Sequence, residues 1–262
     1  MGPRGTGLEP HAPVKSADRA LEVLECLAEH GELSLGELRA RLGFPKSSLH
    51  ALLRTLLERR WVVPDATHTR FALGVRALQI GTAYVDADPV VARSQDTLDE
   101  IAARTGEAVH LGRLDGAHVV YLAKRESVHP LRLYSAVGRR LPAHATALGK
   151  VMLASLPADE VRRVVGPAPA ALTPNTVTDV DMLLVDLAAV AERGWASESE
   201  ENETGVSCIA VPLRLGQDTV DALSVTAPVA RWDEATTGVI LAALVEARDA
   251  LERFSPVRRR SS

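Results

Sequence analysis

Ser47, His50 and Arg54 lie three and four residues apart, so on a helix they project from one side. A hydroxyl, an imidazole and a guanidinium on one face, with small Ala51 between them, can reach base edges and phosphates in a DNA major groove. Lys46 and Ser48 flank them as phosphate contacts. A second set of residues suits a small anion: a helix beginning at His144-Ala145-Thr146 would present unpaired N–H groups and a positive dipole end to a carboxylate. Ser224 and Thr226, two apart, share one face of a strand and can both hydrogen-bond a polar ligand. Other chemistries lack their pattern. His110, His118 and Cys208 do not have the tight paired spacing of a zinc site. Gly149-Lys150 resembles the end of a P-loop, but Val151 stands where Ser or Thr is needed and His144 where the first glycine belongs. Neither Ser207-Cys208 nor His144 carries a recognisable nucleophile, base and orienting group, so an enzyme is disfavoured and no cofactor is expected.

The groove-facing residues need a short helix packed at a fixed angle to another. Ser34 and Glu37 have capping-box spacing, Leu35, Leu38 and Leu42 recur at helical intervals, and Gly43 supplies a stop. Pro45 can open the second helix, whose Leu49, Leu52, Leu53 and Leu56 form the packing stripe opposite Ser47 and Arg54. The alternative is a helical hairpin with a merely solvated polar side. The residues downstream favour a larger unit: Arg59 to Val63 and Arg70 to Leu73 are strand-like runs around the turn-forming Pro64-Asp65-Ala66-Thr67-His68-Thr69, which makes a wing. An upstream helix marked by Leu21, Leu24 and Ala28, ending near Gly31, completes a winged helix-turn-helix. Arg54, Arg59, Arg60, Arg70 and Lys46 give that unit local positive charge.

Composition narrows the class of protein. The 262 residues carry 30 Lys plus Arg against 34 Asp plus Glu, a formal charge of -4, so the whole chain lacks the basic balance of an architectural DNA protein. A hydrophobic share of 46% with 3% aromatics predicts aliphatic cores. Two distant cysteines, Cys26 and Cys208, suggest neither a disulfide framework nor a Cys-based metal site, and no apolar run reaches membrane length; both features fit a cytoplasmic protein.

The spacing predicts a linker helix over residues 74–87 closed by Asp88-Pro89, a helix from Val90 to Thr105, and a hairpin of strands 108–113 and 118–122 around Asp115-Gly116. A third strand is expected at Leu131-Arg132-Leu133-Tyr134. After it come helices from His144 to Ser155, 157–165 and 181–193, strands 208–213 and 221–226, and a terminal helix from Asp233 to about Phe254. The fold class is α+β. The organisation expected is a tail over 1–13, a DNA-binding domain over 14–73, a linker over 74–88, an effector domain over 89–254 and a basic tail over 255–262 that includes Arg258, Arg259 and Arg260.

Several ordered motifs then converge. Ser16-Ala17-Asp18-Arg19-Ala20-Leu21, Leu33-Ser34-Leu35, Leu42 to His50 and Phe71-Ala72-Leu73-Gly74 resemble the N-terminal domain of IclR-type bacterial transcription regulators. His144 to Lys150, Leu172 to Asp179 and Gly205 to Pro212 resemble the same family's effector-binding segments, and the likeness spans Val14 to about Phe254. It implies a GAF-like C-terminal domain with a ligand pocket at Thr146, Ala147, Leu148, Val206, Cys208, Ser224 and Thr226, with Glu198 as its acidic member. Because one recognition helix reads too few base pairs, a homodimer on a pseudo-palindromic operator of double-stranded DNA is expected, acting as a repressor, and the resemblance further implies a dimer of dimers. The runs 109–112, 131–135 and 137–140 look most like regulators of sugar-acid catabolism, which points to a small carboxylate effector. Arg60 departs from the pattern: it stands where a glycine is usual before the first wing strand.

Overall fold

The computed structural model describes residues 13–129, 135–215 and 221–253. The expected strand at 131–134 and the two tails, apart from Pro13, lie outside them. The chain divides into two compact units, one ending at Tyr84 and the next beginning at Val85.

In the first unit, α1 (Lys15–His30), α2 (Leu35–Leu42) and α3 (Lys46–Glu58) surround a core that includes Leu27, Leu38, Leu49 and Leu53. The face of α1 differs from the sequence expectation. Val23, Cys26 and Leu27 are buried, while Leu21 is 58% exposed and Ala28 faces water. Both sets satisfy a helical period, and packing against α2 and α3 selects the phase. The capping box forms: Ser34 Oγ accepts from Glu37 N–H, and the Glu37 carboxylate accepts from Ser34 N–H at 2.7 Å.

The wing consists of β2 (Val62–Pro64) and β3 (Arg70–Leu73), joined by β1 (Leu33–Ser34) in the order β1-β3-β2. Arg59 and Arg60 are not strand residues. They close α3: Arg60 adopts φ 60°, its N–H donates to Leu57 O at 3.0 Å, and Trp61 N–H donates to Leu56 O at 2.8 Å. This is a Schellman turn with arginine in the left-handed position where glycine fits without strain. The chain then enters α4 (Val75–Ala87), none of whose residues is buried.

The second unit is an antiparallel sheet between helices, α+β as expected. Its strands, β4 (Ala108–Asp115), β5 (His118–Arg125), β6 (Arg140–Pro142), β7 (Ala196–Ser199), β8 (Val206–Leu213) and β9 (Asp221–Pro228), run in the order β6-β5-β4-β9-β8-β7. Leu111, Ile209, Val211, Leu223 and Val225 turn to one face and pack against α5 (Pro89–Thr105) and α9 (Glu234–Arg253). The other face packs on α6 (Ala147–Leu153), α7 (Ala158–Val165) and α8 (Val180–Arg193). Every residue of β8 is buried because both faces are covered.

Candidate DNA-reading helix and effector cavity

On α3, Leu49, Leu53 and Leu56 face the core, which leaves Lys46, Ser47, His50, Ala51 and Arg54 exposed along the opposite side. Arg54 pairs with Glu58 one turn on at 3.4 Å, a solvent-exposed pair of little energetic weight. Ser48 is half-buried and accepts from Arg19 Nη1 at 3.2 Å, so part of its hydrogen-bonding capacity secures α1 to α3. Arg70 is also engaged internally: Nη2 donates to Glu32 O at 2.8 Å and lies 3.1 Å from Glu37 Oε2, tying the wing to α2. Arg59 and Arg60 are exposed beyond the end of α3.

In the second unit, a cavity of about 40 Å³ opens between the sheet and the start of α6. Of the residues named from sequence, Thr146, Leu148, Glu198, Val206, Cys208 and Thr226 line it; Ala147 and Ser224 do not. Ala147, the first residue of α6, is fully buried in the core, and Ser224 is fully buried in β9, in register with His110 on β4 and Ala210 on β8. The helix start also differs from expectation. Residues 143–145 form a 3-10 turn, α6 begins at Ala147, and Thr146 Oγ1 accepts from Gly149 N–H at 3.0 Å. The threonine therefore caps the helix itself and occupies one of the N–H donors that the sequence offers to a carboxylate. His144 supports the turn, its Nε2 lying 3.0 Å from Ala170 O.

Further lining residues come from segments without a shared motif: His110, Tyr121, Ser135, Arg139, Leu141, Asn202 and Glu203. His110 is 2% exposed, stacks on Tyr121 with ring centroids 4.4 Å apart, and neither ring nitrogen has a hydrogen-bond partner among the described residues. Burial, reinforced by the Lys124 and Arg139 charges, lowers its pKa to about 4, so the ring is neutral. The sequence signal for it was a histidine inside the apolar run Ala108 to Leu111.

Glu198 forms the acidic wall. Its Oε2 accepts from Glu201 N–H at 2.9 Å, yet burial raises its pKa to about 7, with the Glu201 carboxylate adding to the rise and Lys150 opposing it. Burial likewise pushes the Cys208 thiol up to about 12, so it stays protonated while accepting from Thr226 Oγ1 at 3.2 Å. Behind this wall Lys150, 2% exposed on α6, places Nζ 2.6 Å from Glu201 Oε1 and 2.8 Å from Asp186 Oδ2. Thr173 and Thr176 donate to the Glu200 and Glu201 carbonyls and fix the loop that follows β7.

Both units of the chain match known proteins. The pattern described as bacterial transcriptional regulator IclR C-terminal matches residues 82–253, and that of the IclR helix-turn-helix domain matches residues 16–66. The chain belongs to the IclR family. The HTH-type transcriptional regulator XynR of Escherichia coli K12 is 35% identical over 243 residues, which is 92% of this chain and 96% of the relative. Among solved structures, the IclR regulator of Alicyclobacillus acidocaldarius aligns with a TM-score of 0.81 at 28% identity, covering 93% of this chain and all of that one. An IclR homologue from Microbacterium hydrocarbonoxydans, solved with 4-hydroxybenzoate, aligns at 0.72 and 23% identity over 91% of this chain and 99% of its own. The protein is thus a ligand-responsive, DNA-binding transcription regulator rather than an enzyme, and among its described residues no helix is long and apolar enough to cross a membrane.

Proposed function

We propose that the regulator represses transcription by docking α3 in the major groove of each half of a pseudo-palindromic operator. Ser47, His50 and Arg54 read base edges, while Lys46 and the hydroxyl of Ser48 hold phosphates. Arg59 and Arg60, exposed beyond the helix end, approach the backbone beside the groove. Arg70 shapes the wing through Glu37 and contributes to DNA binding indirectly. Two copies are needed because one helix reads too few base pairs, and the exposed Val75, Leu78 and Ile80 on α4 support a homodimer, with a dimer of dimers on a longer operator. With DNA as its partner, the protein works in the cytoplasm.

The effector enters the cavity bounded by Thr146, Leu148, Glu198, Val206, Cys208 and Thr226 and is a small carboxylate of the sugar-acid type. Ala147 and Ser224 act from behind the lining by shaping it. The observation that carries this reading is a cavity whose wall holds buried polar atoms with no partner among the described residues, an arrangement that water or a ligand can complete. The effector acts by binding the DNA-competent and incompetent arrangements with different affinity, by about 1–3 kcal/mol in typical regulators. A gel-shift titration against the chain's own upstream DNA, with nonspecific competitor at fixed salt and a panel of sugar acids, tests both halves. A competitor-resistant complex weakened by one acid is expected; competition by any DNA alike, with no acid effect, would refute the proposal.

A further inference from the structure

The cavity is chemically two-ended. Among the lining residues, buried His110 presents an uncharged ring whose two nitrogens, one donor and one acceptor, find no partner among the described residues, and the buried Ser135 Oγ finds none either. Such atoms cost free energy unless a guest supplies both an acceptor and a donor, which a hydroxyl group does. Toward solvent stands Arg139, partly exposed, with a guanidinium fork suited to a carboxylate. Glu198 and Glu203, also in the lining, disfavour a second negative charge on the guest and can accept from its hydroxyls. The free space accommodates roughly three waters, so the guest is compact.

Building on the effector reading above, we propose that Arg139 and His110 are the specificity-determining residues of this regulator. Arg139 takes the single carboxylate of a short hydroxy acid, and His110 with Ser135 reads a hydroxyl near that carboxylate. The ligand class is the shortest sugar acids, three or four carbons long, rather than apolar or aromatic acids. The carboxylate is held by the Arg139 side chain.

Calorimetric titration of the full-length protein with D-glycerate, propionate and glycerol separates the two ends, because propionate lacks the hydroxyl and glycerol lacks the charge. Wild-type protein is expected to bind D-glycerate at least tenfold more tightly than either. His110→Phe, which keeps the stacking on Tyr121, should erase the preference over propionate while keeping that over glycerol; Arg139→Gln should do the reverse. Equal binding of the three compounds by wild type, or variants that keep the wild-type ranking, would overturn the proposal. Should His110→Phe fail to fold, Ser135→Ala and the partly exposed Arg139→Gln decide the same question. Binding of 4-hydroxybenzoate but not D-glycerate would refute this assignment and leave the sensor reading standing. Binding of no acid at all would refute the sensor reading itself.

Discussion

His110 on β4 and Ser224 on β9 are register partners in the sheet, and neither side chain has a hydrogen-bond partner among the described residues. Two unsatisfied polar groups in adjacent central strands are a stability cost that the apolar packing on the opposite face offsets. Of the two, only His110 also lines the cavity.

Stability should therefore respond to pH with two opposed limbs. Glu198, with its pKa raised to about 7, favours the folded state below its ordinary value near 4.5 and loses that advantage as pH rises to 7. His110, with its pKa lowered to about 4, supports the fold above 6.5 and loses that support as pH falls through 4. Each limb is worth on the order of 3 kcal/mol. Denaturant midpoints measured across this range should lose the alkaline decline in Glu198→Gln and the acid decline in His110→Asn; a variant with the wild-type slope would show that its residue does not carry the limb.

Two glycines are required by close approach. A Cβ on Gly74 would lie 2.3 Å from Arg60 O, and one on Gly149 would lie 2.0 Å from Ala143 O. Gly149→Ala should destabilise the second unit by about 3 kcal/mol through forced displacement of the 143–145 turn. Gly74→Ala should instead disturb the wing, reducing operator affinity while the second unit keeps its unfolding transition. Calorimetry together with gel shifts distinguishes the two.

Arg60 occupies a left-handed conformation at φ 60°. Replacing it with glycine should stabilise the first unit by about 1 kcal/mol, because the Schellman turn then forms without a Cβ penalty. A lowered melting temperature would mean that the arginine side chain contributes more than the turn costs.

Arg54→Ala should weaken specific operator binding by about tenfold and leave thermal stability almost unchanged, since the side chain is exposed and its pair with Glu58 is weak. Unaltered affinity would remove Arg54 from the recognition surface.

Lys150→Met tests the support behind the acidic wall. With the cation gone, Glu201 and Asp186 lose their shared partner and Glu198 loses the charge that opposes its upward shift. The expected loss is about 3 kcal/mol at neutral pH, partly recovered on acidification as the carboxylates protonate. Urea unfolding at two pH values would show it.

The helix-turn-helix was legible because its signals are local: the Ser34–Glu37 box, the Gly43 stop and the leucine stripe of α3 each act within a few residues. The phase of α1 was not, because Leu21 and Leu24 compete with Val23 and Leu27 for one face and only the neighbouring helices decide. β6 escaped notice because three residues carry no periodicity, and its existence depends on pairing with β5. Glu198, Cys208 and Thr226 came from family resemblance. Arg139, Asn202 and Glu203 come together only when distant loops fold, so no spacing in the chain announces them.

The strand that carries Glu198 has a neighbour on one side only: β7 is four residues long and ends the sheet beyond β8. Edge strands fray at lower free energy than central ones, so this side of the cavity can breathe while β8 and β9 stay zipped. The wall that holds Glu198 is therefore the part of the cavity least bound to the rest of the sheet.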